Sequence, residues 1–239
     1  LKSFLKIYSC GDSFGLTPNS LLINAVRGGA EPFADTKVVQ FLFYQKKPEI
    51  MDNKIRCRWC GTDELYQTYH DLEWGNPEHR DDALFELLIL EGFQAGLSWI
   101  TILKRREAFR EAFAHFDYHL LSDWSDDQLE AQMQNELIIR NRLKINAVRT
   151  NAQAFIKIQE KFGSFNQYIW EFVGHTTILN HFAHHGELPA STETSVLLSK
   201  SLKKNGFRFV GPTICYALMQ AAGLVNDHTI DCFRHPNNS

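Results

Sequence analysis

Cysteine is scarce and odd in number: five in 239 residues, which does not suit the disulfide framework that staples small secreted folds. No apolar run approaches the ~20 residues of a membrane-spanning helix, and no convincing secretory pattern precedes the cysteines. A reducing cytosolic or nuclear-type compartment is therefore the expectation, with no membrane partner. Excess positive charge is missing too. The formal net charge is -3, so composition gives no vote for nucleic acid, and any such surface must be a local patch. Neither a glycine-rich phosphate loop nor a Gly-x-Ser-x-Gly elbow occurs, which weakens nucleotide-hydrolase and acyl-transfer readings. Cys215 lies in an apolar stretch, where a thiol serves packing more often than attack.

What the chain does have is apolar content, 44% of residues, enough for a substantial core. Its first fifty residues differ from the rest. They mix Gly, Ser, Asn and Pro with short apolar runs and carry no long helical period, and the first methionine is Met51. The expectation is a weakly ordered extension over 1–50 and one folded domain over 51–239. Beyond Met51 the periodicity is helical almost throughout. It predicts helices from Asp82 to about Ala95, from a Ser98 cap through Phe113, and over Asp126–Met133 behind a Ser125/Gln128 capping box. Further helices are predicted at Arg142–Phe162, Phe165–Phe172, Thr194–Lys204 and Thr213–Ala222, several of them ended by glycine. No comparable strand alternation appears. The fold class expected is all-α.

Three groups of residues could carry chemistry. Cys57 and His70 stand ahead of the helical region, and His228-x3-Cys232 stands near the chain's end. Thiolate and imidazole are donors that Zn2+ accepts in a tetrahedral site. Cys57-x2-Cys60 is also a common metal spacing, so spacing leaves five candidates for four positions. A second group centres on Glu91, which follows Leu87-Leu-Ile-Leu90 and precedes Gly92. A carboxylate there could favour a cationic guest or accept the amine proton of a nucleobase. Trp59, Tyr66, Tyr69, Trp74 and Trp99 could line a stacking pocket around it, or simply fill core. The third group, Leu137-Ile-Ile-Arg-Asn-Arg-Leu-Lys-Ile145, reads as a hairpin between two helices. Amides at the start of the second helix could hold phosphate, with Arg140, Arg142 and Lys144 adding charge. His175, His181, His184 and His185 lie in a loop-like stretch and are expected to face solvent.

At these residues the chain resembles the DNA-3-methyladenine glycosylase I family of the helix-hairpin-helix superfamily. The resemblance spans about Arg56 to Pro236. It rests on Arg56-Cys-x-Trp59, Tyr69-His-Asp-x-Glu-Trp-Gly75, Leu90-Glu-Gly-x-Gln-Ala-Gly-Leu-Ser-Trp99, Phe207-x-Phe-Val-Gly211 and Gly223-Leu-Val-Asn-Asp-His228. It implies a monomeric enzyme that excises 3-methyladenine from double-stranded DNA in base excision repair, as a monofunctional N-glycosyl hydrolase. By the same resemblance Cys57, His70, His228 and Cys232 hold one structural Zn2+, clasping the two arms and leaving Cys60 spare. Glu91 and Trp99 contact the extruded base, with Tyr66, Tyr69, Trp74 and Trp59 around it, and Glu91 is the candidate catalytic residue. The hairpin binds the DNA backbone through Ile139, Arg140, Arg142 and Lys144. Leu143 stands where the family's hairpin often has glycine. A zinc-stabilised module that binds lesions without releasing the base is the alternative.

Overall fold

Apolar residues on every side of one helix set the architecture. Helix α2 (Asp81–Gln94) buries Leu84, Phe85, Leu87 through Leu90 and Phe93, so beyond its partly exposed first turn little is left for solvent and other helices must surround it. The computed structural model describes residues 53–238, and the expectation for 1–50 lies outside them. The described helices are α1 (Glu64–Leu72), α2, α3 (Trp99–Leu103), α4 (Arg106–Ala112), α5 (Tyr118–Ser122), α6 (Asp126–Ala131), α7 (Arg142–Phe162), α8 (Phe165–Trp170), α9 (Glu193–Lys204) and α10 (Pro212–Ala221). Helices α3, α7, α8 and α10 all pack on α2. The domain is all-α apart from one two-residue parallel pairing, β1 (Ile178–Leu179) with β2 (Val225–Asn226).

Local chemistry explains most helix ends. Ser125 and Gln128 form the expected capping box at α6. Asn141 starts α7 by accepting from the amides of Leu143 and Lys144, and Gly163 ends it at φ 89°. Asp81, the first residue of α2, accepts from the amides of Phe165 and Asn166 at 2.9 and 2.8 Å, so the central helix caps α8. The helix expected from Ser98 to Phe113 is instead two. The chain breaks at Arg105 (φ -111°, ψ 5°), and Arg106 then reaches Glu86 on α2 and Glu73 beyond α1. Nor does Ser98 cap the backbone, since its hydroxyl pairs with that of Thr101.

The two arms meet because backbone passes backbone without side chains between. Gly223 (φ 69°) lies so close to Asn76 and Pro77 that a Cβ would stand 2.3 Å from Asn76. Amides of Gly75 and Glu78 donate to the carbonyls of Gln220 and Ala222. The end of α10 is thereby fixed against the turn that follows α1.

Candidate functional site

The first three-residue turn (Arg58–Cys60), α1 and the C-terminal arm bring four buried ligand-type residues together. One donor atom from each of Cys57, His70, His228 and Cys232 falls within 4.8 Å of all the others. Cys57 Sγ and Cys232 Sγ each lie 3.5 Å from His228 Nδ1, and Cys232 Sγ lies 3.4 Å from His70 Nε2. Sulfur and nitrogen ligands of a tetrahedral zinc, at about 2.3 and 2.0 Å from the ion, stand about 3.5 Å apart. The other ring nitrogens are held as metal-bound histidines require. His70 Nδ1 lies 2.8 Å from Asp71, itself gripped by Arg56, and His228 Nε2 lies 3.1 Å from the Trp74 carbonyl. Amides of Thr229 and Arg234 donate to the two sulfurs. Proton sharing with Cys57 pulls the Cys232 thiol down, helped by His228, His70 and the Arg234 amide, while Cys57 is pushed up. Cys60 is excluded from the cluster: its thiol donates to the Cys57 carbonyl, and burial raises its pKa to about 11. The geometry is that of a closed Cys2His2 site with no open position, consistent with structural zinc.

Against this cluster stands an aromatic cavity of about 220 Å3, lined by Trp59, Tyr66, Tyr69, Trp74, Glu91 and Trp99, with Gln94, His185, Leu188, Ala217 and Gln220 completing it. All six residues expected around the base therefore share one space. It is smaller than the roughly 300–1,000 Å3 of drug-sized pockets and of the scale of one bicyclic base. Trp59 packs edge-on against Tyr66 and Trp74 at 4.9 Å, and Tyr69 lies 5.3 Å from Trp99. The His70 ring sits 5.3 Å from Trp59, so the ligand cluster backs the aromatic wall.

Within the described residues, three polar groups of this cavity lack protein partners. Glu91 is 3% exposed, its Oε2 meets no donor, and the indole nitrogens of Trp59 and Trp99 meet no acceptor. Unpaired buried groups are costly, and three in one small cavity point to a polar guest. Burial alone drives the Glu91 pKa up to about 8, so without a guest it is held as a neutral acid. A larger cleft of about 520 Å3 lies beside Arg106 and Arg110, but these pair with Glu73, Glu86 and Glu107, and no unpaired buried atom belongs to its lining.

The hairpin joins α6 to α7, and one expected member leaves it. Lys144 is turned inward, and its Nζ donates to the carbonyls of Phe93 and Ala95 at 2.8 and 2.7 Å. This is a correction, because a surface cation was expected there and the residue is 7% exposed. Its stem follows the apolar side of α7, and the free carbonyls at the end of α2 need donors. Arg140 and Arg142 do face solvent, paired with Glu136 and Glu130. Leu143 is 71% exposed and is not among the residues with positive φ, so glycine is not required there. The four loop histidines are exposed as expected, although His185 also edges the cavity. Neither it nor Leu188, Ala217 and Gln220 was marked as a pocket residue in the sequence, and Gln94 stood within the Leu90–Trp99 motif without an assigned role.

Residues 59–235 match the family described as methyladenine glycosylase. A DNA-3-methyladenine glycosylase from Haemophilus influenzae is 48% identical over 177 residues, covering 74% of this chain and 96% of its own. A crystal structure of 3-methyladenine DNA glycosylase I superposes with TM-score 0.75 at 47% identity, over 76% of this chain and all of that one. A variant of 3-methyladenine DNA glycosylase I, crystallised in complex with 3-methyladenine, gives 0.74 at 35% identity, over 76% and 97%.

Proposed function

This chain belongs to the methyladenine glycosylase family, and from that premise we infer how its cavity releases 3-methyladenine from DNA. It is a monofunctional glycosylase of base excision repair acting on alkylated double-stranded DNA. Methylation at N3 puts a positive charge on adenine. When the N-glycosidic bond breaks, its electron pair returns to the ring and the base departs neutral. Water then adds to C1′ and loses a proton, leaving an abasic sugar. Little leaving-group activation is required, so the protein's work is extrusion, grip and placement.

The observation that carries this reading is Glu91, unpaired among aromatic rings. A neutral acid in the guest-free pocket becomes a carboxylate opposite a cationic ring, because the guest's charge replaces the lost solvation. Trp99 and Tyr69 give the base its stacking faces, while Trp59, Tyr66 and Trp74 close the far side. Zn2+ on Cys57, His70, His228 and Cys232 supplies cross-linking rather than chemistry. The α6–turn–α7 unit acts as a helix-hairpin-helix seat on the DNA backbone. Exposed ion pairs of Arg140 and Arg142 are cheap to exchange for phosphate, and the turn amides of Ile139 and Arg140 have no acceptor within the described residues. Among the described residues Cys57, Cys60, Cys215 and Cys232 form no disulfide, which supports a cytoplasmic setting, and one chain holds the whole cavity, as a monomer requires.

The test is direct. Purified protein incubated with methylated duplex DNA is expected to liberate free 3-methyladenine. Glu91→Gln should lower release by about a hundredfold, the scale of one preorganised polar group in a closed site. Tight binding of lesion DNA without any released base would replace catalysis with simple lesion recognition.

A further inference from the structure

Beyond Glu91 and the two indoles, a further hydrogen-bonding group lines the cavity with its polarity set by a neighbour. Gln220, in the last turn of α10, lines the pocket, and its Nε2 donates to Asp227 Oδ2 at 2.7 Å. Asp227 is 1% exposed and collects two further donors. The Tyr216 hydroxyl reaches the same Oδ2 at 2.5 Å, and Asn180 Nδ2 reaches Oδ1 at 2.7 Å. Burial and the Asp227 carboxylate both push the Tyr216 pKa up, so its hydroxyl stays a donor. A carboxylate accepts and cannot donate. The Gln220 amide must therefore present Nε2 to Asp227, and Oε1, which meets no donor within the described residues, is left for the cavity.

Among the polar groups of the wall, which also include the Tyr66 and Tyr69 hydroxyls, the Gln94 amide and His185, stand two acceptors, Glu91 and Gln220 Oε1, and two unpaired indole donors, Trp59 and Trp99. We propose that Gln220 reads the exocyclic amino group of the extruded base and that Asp227 is the positioning residue that sets its polarity, making the pocket selective against purines with a 6-carbonyl. This rests on the base-excision reading above. A 6-amino purine satisfies both acceptors with its two N–H groups. A 6-oxo purine sets oxygen against oxygen and leaves Gln220 unsatisfied, the situation by which polar sites discriminate most sharply.

Asp227→Asn reverses the polarity without changing shape. The substituted side chain can keep its Oδ1 with Asn180 while its new NH2 group takes the place of Oδ2, one hydrogen facing Gln220 and the other the Tyr216 oxygen, whose hydroxyl turns from donor to acceptor. Gln220 then turns Oε1 towards that donor and its own NH2 into the cavity. DNA carrying both 3-methyladenine and 3-methylguanine, with both released bases quantified, reads the result. Asp227→Asn is expected to lower the adenine-to-guanine ratio of kcat/KM by at least about tenfold, with 3-methylguanine release rising in absolute terms. Gln220→Leu should depress 3-methyladenine release by a similar factor without that rise. Because Asp227 adjoins His228, metal content and Tm are measured alongside, and Gln220→Leu decides the matter should Asp227→Asn fail to fold. Proportional loss of both bases in the folded variants would overturn the proposal. A wild-type protein that releases neither base would instead overturn the excision reading on which it rests.

Discussion

Glu91 is a buried acid whose protonation ties stability to pH. Its pKa is near 8 in the fold against an ordinary 4.5, so between those values the folded state holds a proton that the unfolded chain has lost. This contribution to stability is fully present below about pH 4.5 and drains away as pH rises to about 8. Glu91→Gln removes the dependence. In denaturant unfolding of the ligand-free protein, the variant's advantage over wild type should grow from pH 5 to pH 8, reaching on the order of a few kcal/mol. An advantage independent of pH would mean that Glu91 is solvated or paired in solution. The same residue was legible in the sequence as a carboxylate at the end of an apolar run. Its lack of any partner was not, because that depends on which side chains arrive from α1, α3 and α10. Gln220 was invisible for a related reason: an amide in a helix has no signature until Asp227 is placed beside it.

Among the elements, α7 does more than carry the hairpin. Lys144 joins its first turn to the carbonyls of Phe93 and Ala95 at the end of α2, two and four residues after Glu91, and the Asn151 side chain holds the backbone of Arg208 from both sides. Phe209 beyond that grip, at φ 57°, places its Cβ 3.5 Å from where a Cβ on Gly92 would stand. The helix proposed to seat on DNA is therefore bolted to the helix that bears the acid. Lys144→Met strands the Phe93 and Ala95 carbonyls and should cost about 1–3 kcal/mol in chemical denaturation. Excision should fall in kcat rather than in the salt dependence of DNA binding. A reduced salt slope with unchanged kcat would return Lys144 to the phosphate-facing surface.

Helices α6 and α7 were legible because of their caps: Asn141 and Gly163 bracket the long period of α7, and the Ser125/Gln128 capping box opens the short α6. Helices α1 and α5 were not. They start behind Asp63 and Asp117, whose carboxylates accept from first-turn amides, but neither has the capping box that marked α6. The break between α3 and α4 follows from tertiary ion pairs at Arg106, and the two-residue β pair has no pattern at all.

Across the whole molecule, the Cys2His2 cluster fastens the two ends of the domain and props the aromatic wall. One zinc per chain is expected by elemental analysis. Its removal by a strong chelator, or Cys232→Ser, should lower Tm by on the order of 10 °C and abolish excision with it. Unchanged Tm after metal loss would mean that the four residues pack without an ion.

Cys57 and Cys232 lie at opposite ends of the domain yet touch the same histidine, and Gly223 must already rest on Asn76 for them to do so. A nascent polypeptide on the ribosome cannot finish this knot until its final segment has emerged. Until then the tryptophans of the early arm have no backing, so a transcript cut short before His228 yields a chain for proteolysis rather than a partly working repair enzyme.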